Sequence, residues 1–276
     1  MLTIRKILLP VDFSAPSLAA AKHAAALARQ FDSTLVFAHV IPSASFEYAG
    51  FEGDVETKLR GRLEELAAAS SSDRAIEPLV LEGDPAEEIV KLANKKQVDL
   101  IVMPTHGYGP FRRFVLGSVT AWVLRHSDCP VLTGAHWTEQ PYRVVCCAVE
   151  LTGHSEKVLR WAADFAGSCG AGLEVVHAAL PDDLCPHIEE YIEASWQQAL
   201  LRSARQETEK LVRKVGCRAE VYAGIADASD CITKAVAAAH ANLLVVGRSL
   251  KEGLRGLFHT NAYELIREAP CPVVSV

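Results

Sequence analysis

The sequence predicts an α/β fold with a parallel sheet covered on both faces, built twice in one chain. Short, continuously apolar runs alternate with helical patterns of about 10–15 residues, as expected for strands buried on both faces of a parallel sheet. The second half of the chain repeats the first at a nearly constant spacing. The 276 residues, 50% of them hydrophobic, suit two ordinary domains with sizeable cores.

In chain order, Lys6 to Pro10 reads as a buried strand closed by the turn Val11-Asp12-Phe13-Ser14. Ser14 can cap a helix with Pro16 in its first turn; Leu18, Ala21, Ala25 and Ala28 fall at helical spacing as far as about Phe31. Thr34 to Val40 is a second strand, Ile41 to Gly53 a looser segment, and Asp54 to Ala69 a charged amphipathic helix. Ile76 to Leu81 is strand-like. Asp84-Pro85-Ala86-Glu87 starts a helix, with the aspartate at the cap, proline at the first position and an acid three residues after the cap, and that helix ends near Gln97. The strand Leu100 to Met103, a Gly-rich loop, a helix and the strand Pro130 to Thr133 complete the first copy.

At an offset of 138, Pro10-Val11-Asp12 aligns with Ala148-Val149-Glu150, Ser17 with Ser155 and His39 with His177. Further on, Asp99 to Val102 matches Asn242 to Val245, and at an offset of 142 Cys129 to Leu132 matches Cys271 to Val274. The expected domains are 1–134 and 141–276, joined by a linker at Ala135 to Pro141 that includes Trp137. In the second copy, strands are expected at Arg143 to Val149, Leu173 to Ala178, Arg218 to Tyr222, Leu243 to Val246 and Val273 to the terminus. Ser155 would cap a helix burying Val158, Trp161, Ala162 and Phe165; further helices fall at Glu189 to Val215 and Asp227 to Ala239.

The formal net charge is −6 with acids and bases interspersed, so nothing resembles a nucleic-acid footprint. Eight cysteines, several inside apolar runs and none spaced Cys-x-x-Cys, read as buried small hydrophobes in a reducing compartment. The start is too short and too quickly interrupted to be a signal peptide, and no apolar run reaches the roughly 18 residues of a membrane span, so a cytoplasmic protein is expected.

The stretch of greatest interest runs from Pro104 to Ser118. A strand enters it and a helix leaves it; glycines, Arg112 and Arg113 lie between. Gly117 permits close backbone approach and Ser118 is a good N-cap. Unpaired first-turn amides and the helix dipole make an anion site there, or the stretch is simply a capped helix behind a surface loop.

These residues resemble the universal stress protein family in its tandem form. The resemblance rests on Ile7 to Ser14, Phe37 to Val40, Gly83-Asp84-Pro85, the loop Thr105-His106-Gly107 to Gly117-Ser118, and Leu124 to Val131, and it covers essentially the whole chain. It implies two open five-stranded parallel sheets in three αβα layers, similar to the adenine nucleotide alpha hydrolases. Ligand would bind where the strand order reverses, between the first and fourth strands. ATP-binding members carry Gly-x2-Gly-x9-Gly-(Ser/Thr); here Gly107, Gly117 and Ser118 match, and Pro104 replaces the first glycine. The resemblance implies ATP, with or without magnesium: adenine near Val40 and Met103, ribose on Asp12 beside Pro10 and Val11, and phosphates on amides around Gly107, Gly117, Ser118 and Val119. In the second copy Gly247 keeps the first glycine, but Leu250, His259-Thr260 and Glu150 break the pattern, so that domain is expected to be mainly structural. Pairing of the two domains through Val131 to Thr133 and Val273 to Val276, and a further homodimer, are also implied.

No P-loop, nucleophile elbow or His-Glu-x-x-His pair is present. His126-Ser127-Asp128 reads as a helix C-terminus, and His39 and His177 as satisfied strand histidines. Two other readings stand beside nucleotide binding: an interaction protein whose cleft is vestigial because of Pro104, and a hydrolase or transferase using His259, Cys231 and Glu150 in the second copy.

Overall fold

Interior strands of a parallel sheet must hide both faces, and the central strands of this chain do: Ile7, Leu8, Leu9, Leu35, Val36, Phe37, Leu100, Ile101 and Val102 are fully buried. The computed structural model describes residues 2–43, 52–70, 76–107, 116–134, 137, 140–180, 193–248 and 260–276. The chain divides into two compact units, one spanning Thr3–Glu139 and the other taking in Gln140–Val276.

The first unit runs β1 (Lys6–Pro10), α1 (Ala15–Phe31), β2 (Thr34–Ile41), α2 (Glu52–Ala69), β3 (Ile76–Glu82), α3 (Pro85–Lys96), β4 (Leu100–Pro104), α4 (Ser118–His126) and β5 (Val131–Gly134). Its five strands are parallel in the order β3-β2-β1-β4-β5. The order reverses between β1 and β4. Helix α1 packs on β1, β2 and β4, α2 on β2 and β3, and α3 on β2, β3 and α4.

The second unit runs β6 (Val144–Ala148), α5 (Ser155–Cys169), β7 (Gly172–Ala178), α6 (Ala194–Val215), β8 (Glu220–Gly224), α7 (Ala228–Ala238), β9 (Leu243–Val246), α8 (Thr260–Glu268) and β10 (Val273–Ser275). Its strands are parallel in the equivalent order β8-β7-β6-β9-β10. The part of the expected helix at residues 189–192 lies outside the described residues.

Helix starts obey local chemistry. Asp84 accepts from the amides of Ala86 and Glu87 with Pro85 next to it, Ser14 accepts from Ser17, and Asp227 accepts from Ser229. Glu87 does not close a capping box; its carboxylate pairs with Lys91 at 3.1 Å. Two expected caps are corrected. Ser155 is the first residue of α5, whose cap is His154, and the Ser155 hydroxyl instead accepts the Thr152 amide at 3.0 Å. Ser118 is likewise the first residue of α4, and Gly117 is its cap.

The expected α1 face is also corrected: Ala21, Ala25 and Ala28 are fully buried, but Leu18 is 37% exposed, and Ala20 and Ala24 complete the buried face. In α5, Val158, Ala162 and Phe165 are buried while Trp161 lies half-buried against Phe165, ring centroids 5.1 Å apart. Trp137 packs against Gly134 and the buried His23, 4.8 Å between ring centroids. Burial pushes the thiols of Cys271 up to about 12 and of Cys231 to about 11, and raises Cys146 and Cys147 too, so these four groups stay protonated and act as apolar fillers.

The duplication extends to backbone detail. Phe13 and Leu151 hold φ of 61° and 57°, Asp32 and Gly170 hold 59° and 65°, and Gln97 and His240 hold 51° and 49°. One polar device is repeated with a changed residue. Asp99 Oδ2 accepts the amides of Arg5 and Lys6 at 2.8 and 2.9 Å, and Asn242 Oδ1 accepts those of Arg143 and Val144 at 3.0 and 3.2 Å. Each fixes the start of the first strand of its unit to the start of the fourth.

Asp99→Ala leaves two amides without their acceptor and should cost about 1–3 kcal/mol in denaturant unfolding, whereas Asp99→Asn, which copies Asn242, should stay within about 0.5 kcal/mol of native. A loss in the asparagine variant equal to that in the alanine variant would contradict the account. Glu174 lies directly opposite Glu220 in the β7–β8 register. Burial first, then Glu220, raises the Glu174 carboxyl above its ordinary 4.5. The folded state therefore holds that proton more tightly than the unfolded chain, and the associated stability, full below the ordinary value, is lost as pH rises through the folded value. Glu174→Gln should raise stability at neutral pH by about 0.5 kcal/mol and flatten its pH dependence above 4.5; equal slopes for native and variant would contradict it.

Candidate functional site

Where adjacent parallel strands send their chains away in opposite directions, the loops at their carboxyl ends part and leave a crevice. In the first unit this point lies between β1 and β4, and a cavity of about 680 Å³ opens there. All ten residues singled out from the sequence line it. Pro10, Val11 and Asp12 come from the end of β1, Val40 from β2, Met103 and Pro104 from β4, Gly107 from the loop beyond β4, and Gly117, Ser118 and Val119 from the start of α4. Sequence reasoning missed others: Ser17, His39, Pro42, Pro85, Ile89, His106 and Thr120. Four of the thirteen prolines in the chain are in this wall, which fixes its backbone before any ligand arrives.

The exit of β1 is held at every residue. The Val11 amide donates to the Ala38 carbonyl at 2.8 Å, and the His39 ring donates from Nδ1 to the Val11 carbonyl at 2.7 Å. The Ser14 amide donates to Asp12 Oδ1 at 2.9 Å. The other Asp12 oxygen lies against Gly107, so close that a Cβ on residue 107 would collide with it. A side chain at 107 would thus push the Asp12 carboxylate from its place. Gly117 differs: a Cβ there would meet Thr105 O at 3.4 Å and nothing nearer among the described residues, and its φ is −58°.

The exit of β4 is tied to the helix. The Gly117 amide donates to the Thr105 carbonyl at 2.8 Å and the Thr120 hydroxyl to the Pro104 carbonyl at 3.0 Å. The first intrahelical bond of α4 runs from the Ala121 amide to Gly117 O at 2.8 Å, and the cap supplies no side-chain acceptor. The amides of Ser118, Val119 and Thr120 therefore lie before the first helical carbonyl that could accept them, at the positive end of the helix dipole.

Backbone parity settles what Pro104 removes. The amides of Ile101 and Thr105 bond toward β5, to Pro130 O and Gly134 O. An amide at residue 104 would point the other way, toward β1, beyond the last β1–β4 pair at Leu8 and Ile101. Proline therefore offers no donor on the β1 side of residue 104, where the strands part at the cleft. The same parity puts the Val40 amide and carbonyl on the β1 side, just past the ladder bond between Val11 and Ala38.

In the second unit, Val149 repeats Val11: its amide meets Val176 O at 3.0 Å, and His177 Nδ1 meets its carbonyl at 2.8 Å, with burial lowering the His177 pKa. Both strand histidines are thus hydrogen-bonded where the sequence suggested. Glu150 is exposed, and a Cβ on Gly247 would meet Val158 at 3.1 Å. Arg112, Arg113, Leu250 and His259 lie outside the described residues. Cys231 is buried with its thiol toward the His177 carbonyl, and the elevated pKa leaves it a poor nucleophile. His126 ends α4, its Nδ1 donating to Trp122 O at 2.8 Å.

Comparison with known proteins gives one consistent result. A universal stress protein of Methanocaldococcus jannaschii is 38% identical over 136 residues, covering 46% of this chain and 80% of the relative. A second from the same archaeon is 31% identical over 150 residues, covering 46% of this chain and 93% of the relative. The crystal structure of a universal stress protein from Archaeoglobus fulgidus shares the fold over 99% of this chain and 96% of its own, with a TM-score of 0.72 at 18% identity. The sequence model of the universal stress protein family matches twice, at residues 3–133 and 141–276. With two such matches on two equivalent α/β units, the chain belongs to the universal stress protein family.

Proposed function

We propose that the first unit binds an adenine nucleotide, ATP by preference, and that the protein serves as a stress-response regulatory module that senses it. The observation that supports this best is that three chemistries line one cavity: apolar surface from Val11, Val40, Ile89 and Met103, the Asp12 carboxylate, and the start of α4 at Gly117, Ser118 and Val119.

Each chemistry suits one part of the ligand. The base stacks on the apolar wall, and the Val40 amide and carbonyl offer a donor and an acceptor to its edge. The Asp12 carboxylate accepts from ribose hydroxyls and would repel phosphate. The helix start attracts phosphate through aligned amides. Magnesium would be carried on the phosphate oxygens, since no group of three acidic, histidine or cysteine side chains among the described residues is arranged to hold a metal. The second unit retains the histidine and strand geometry but presents Glu150 in place of Asp12, and we assign it a structural part. No helix among the described residues is long and apolar enough to cross a membrane.

Calorimetry with ATP and magnesium tests the reading: one nucleotide should bind per chain, and absence of heat at millimolar nucleotide would overturn it. Gly117→Ala separates binding from folding. The added methyl fits the described surroundings, so folding stability should change by less than about 1 kcal/mol, while ATP affinity should fall about tenfold because the methyl occupies the path of phosphate to the amides. A variant that binds ATP as the native chain does would place the phosphates elsewhere.

A further inference from the structure

We propose that Phe13, in contact with both Arg62 and His39, is a positioning residue that aims the Asp12 carboxylate at the ribose. This rests on the adenine-nucleotide reading of the cleft. Phe13 adopts φ of 61°, a conformation that a bulky side chain rarely takes without support. The Phe13 ring lies 5.0 Å from the His39 ring, tilted 41° to it, and the guanidinium of Arg62, from α2, sits over the Phe13 ring 4.0 Å from its centroid. His39 in turn donates to the Val11 carbonyl. Asp12 is therefore flanked by two residues whose positions are both set through one histidine, and its carboxylate direction is fixed by the backbone between them.

The second unit supplies an internal comparison. The histidine-to-carbonyl bond recurs between His177 and Val149, and Leu151 takes the same left-handed conformation at φ 57°. The backbone turn thus forms with leucine and without an aromatic ring. What the first unit adds is the aromatic ring and the cation above it, on the unit that carries the aspartate. A part needed only for folding would be needed in both units.

The test uses the full chain and two substitutions: Phe13→Leu, which copies Leu151, and Arg62→Ala, at an exposed side chain where misfolding is not expected. Calorimetry compares ATP with 2′,3′-dideoxy-ATP, which lacks the hydroxyls that Asp12 would accept. Native protein should prefer ATP. Both variants should lose about three- to tenfold in ATP affinity and leave dideoxy-ATP unchanged, and Arg62→Lys should restore most of the loss. Amide exchange at Ser14, whose N–H is held by Asp12 at 2.9 Å, should quicken in both variants even without nucleotide. Parallel losses for both nucleotides, or no loss in either variant, would overturn the positioning role and leave nucleotide binding standing. Native protein that binds neither nucleotide would overturn both.

Discussion

The contact between the Asp12 carboxylate and the backbone of Gly107 is the constraint around which the first unit is arranged. Parallel strands neighbouring in space but distant in sequence end at the same level, so the segments leaving β1 and β4 must meet. They meet with an Asp12 carboxylate oxygen lying where a Cβ on residue 107 would stand, so a side chain there would displace the carboxylate. The start of α4 is tied to the end of β4 by the Thr120 hydroxyl on the Pro104 carbonyl and the Gly117 amide on the Thr105 carbonyl. The acid and the helix start then face one cavity.

The duplicated unit separates what the fold needs from what the cleft needs. Both copies keep the histidine bonded to the carbonyl after the first strand, the left-handed residue two positions later, the left-handed helix ends and the side chain that binds the fourth strand to the first. Asp99 and Asn242 differ in charge and do the same work, so the requirement is for an acceptor oxygen rather than an anion. Asp12 and Glu150, and Phe13 and Leu151, differ in ways the backbone does not register.

Much of the fold is legible in the sequence because its signals are local or repeated. Apolar runs mark the strands to within a residue or two, and Asp84-Pro85 marks a helix start, since capping chemistry acts within three residues. Ser118 and Ser155 mislead because both resemble local caps. In α4 the true cap, Gly117, is positioned by the distant Thr105 carbonyl, and the Ser155 hydroxyl turns back to Thr152. Leu18 misleads because an alanine-rich helix offers several apolar stripes, and burying the small ones brings α1 close to the sheet. The ten cleft residues can be gathered from sequence through the family resemblance and its motif spacing. The Arg62, Phe13 and His39 cluster cannot, because its members come from three places in the chain and no spacing connects them.

Pro104 shows how a departure from the motif can be absorbed. A proline inside a central strand would break a ladder bond, but residue 104 lies past the last β1–β4 pair with its nitrogen toward β1. The carbonyl of the same residue still receives the Thr120 hydroxyl. The cleft loses one donor and gains a rigid apolar ring in its wall, next to Met103 and in company with Pro10. For a ligand with an aromatic base and a triphosphate, that exchange weakens the polar part of the site and enlarges the apolar part. The helix start at Gly117 and Ser118 is then left to hold the phosphates with fewer backbone partners than a glycine at position 104 would allow. On the nucleotide reading, affinity in this cleft therefore depends more on the base and ribose than on the phosphates, which puts the weight of recognition on the Val40 backbone and on the direction of the Asp12 carboxylate.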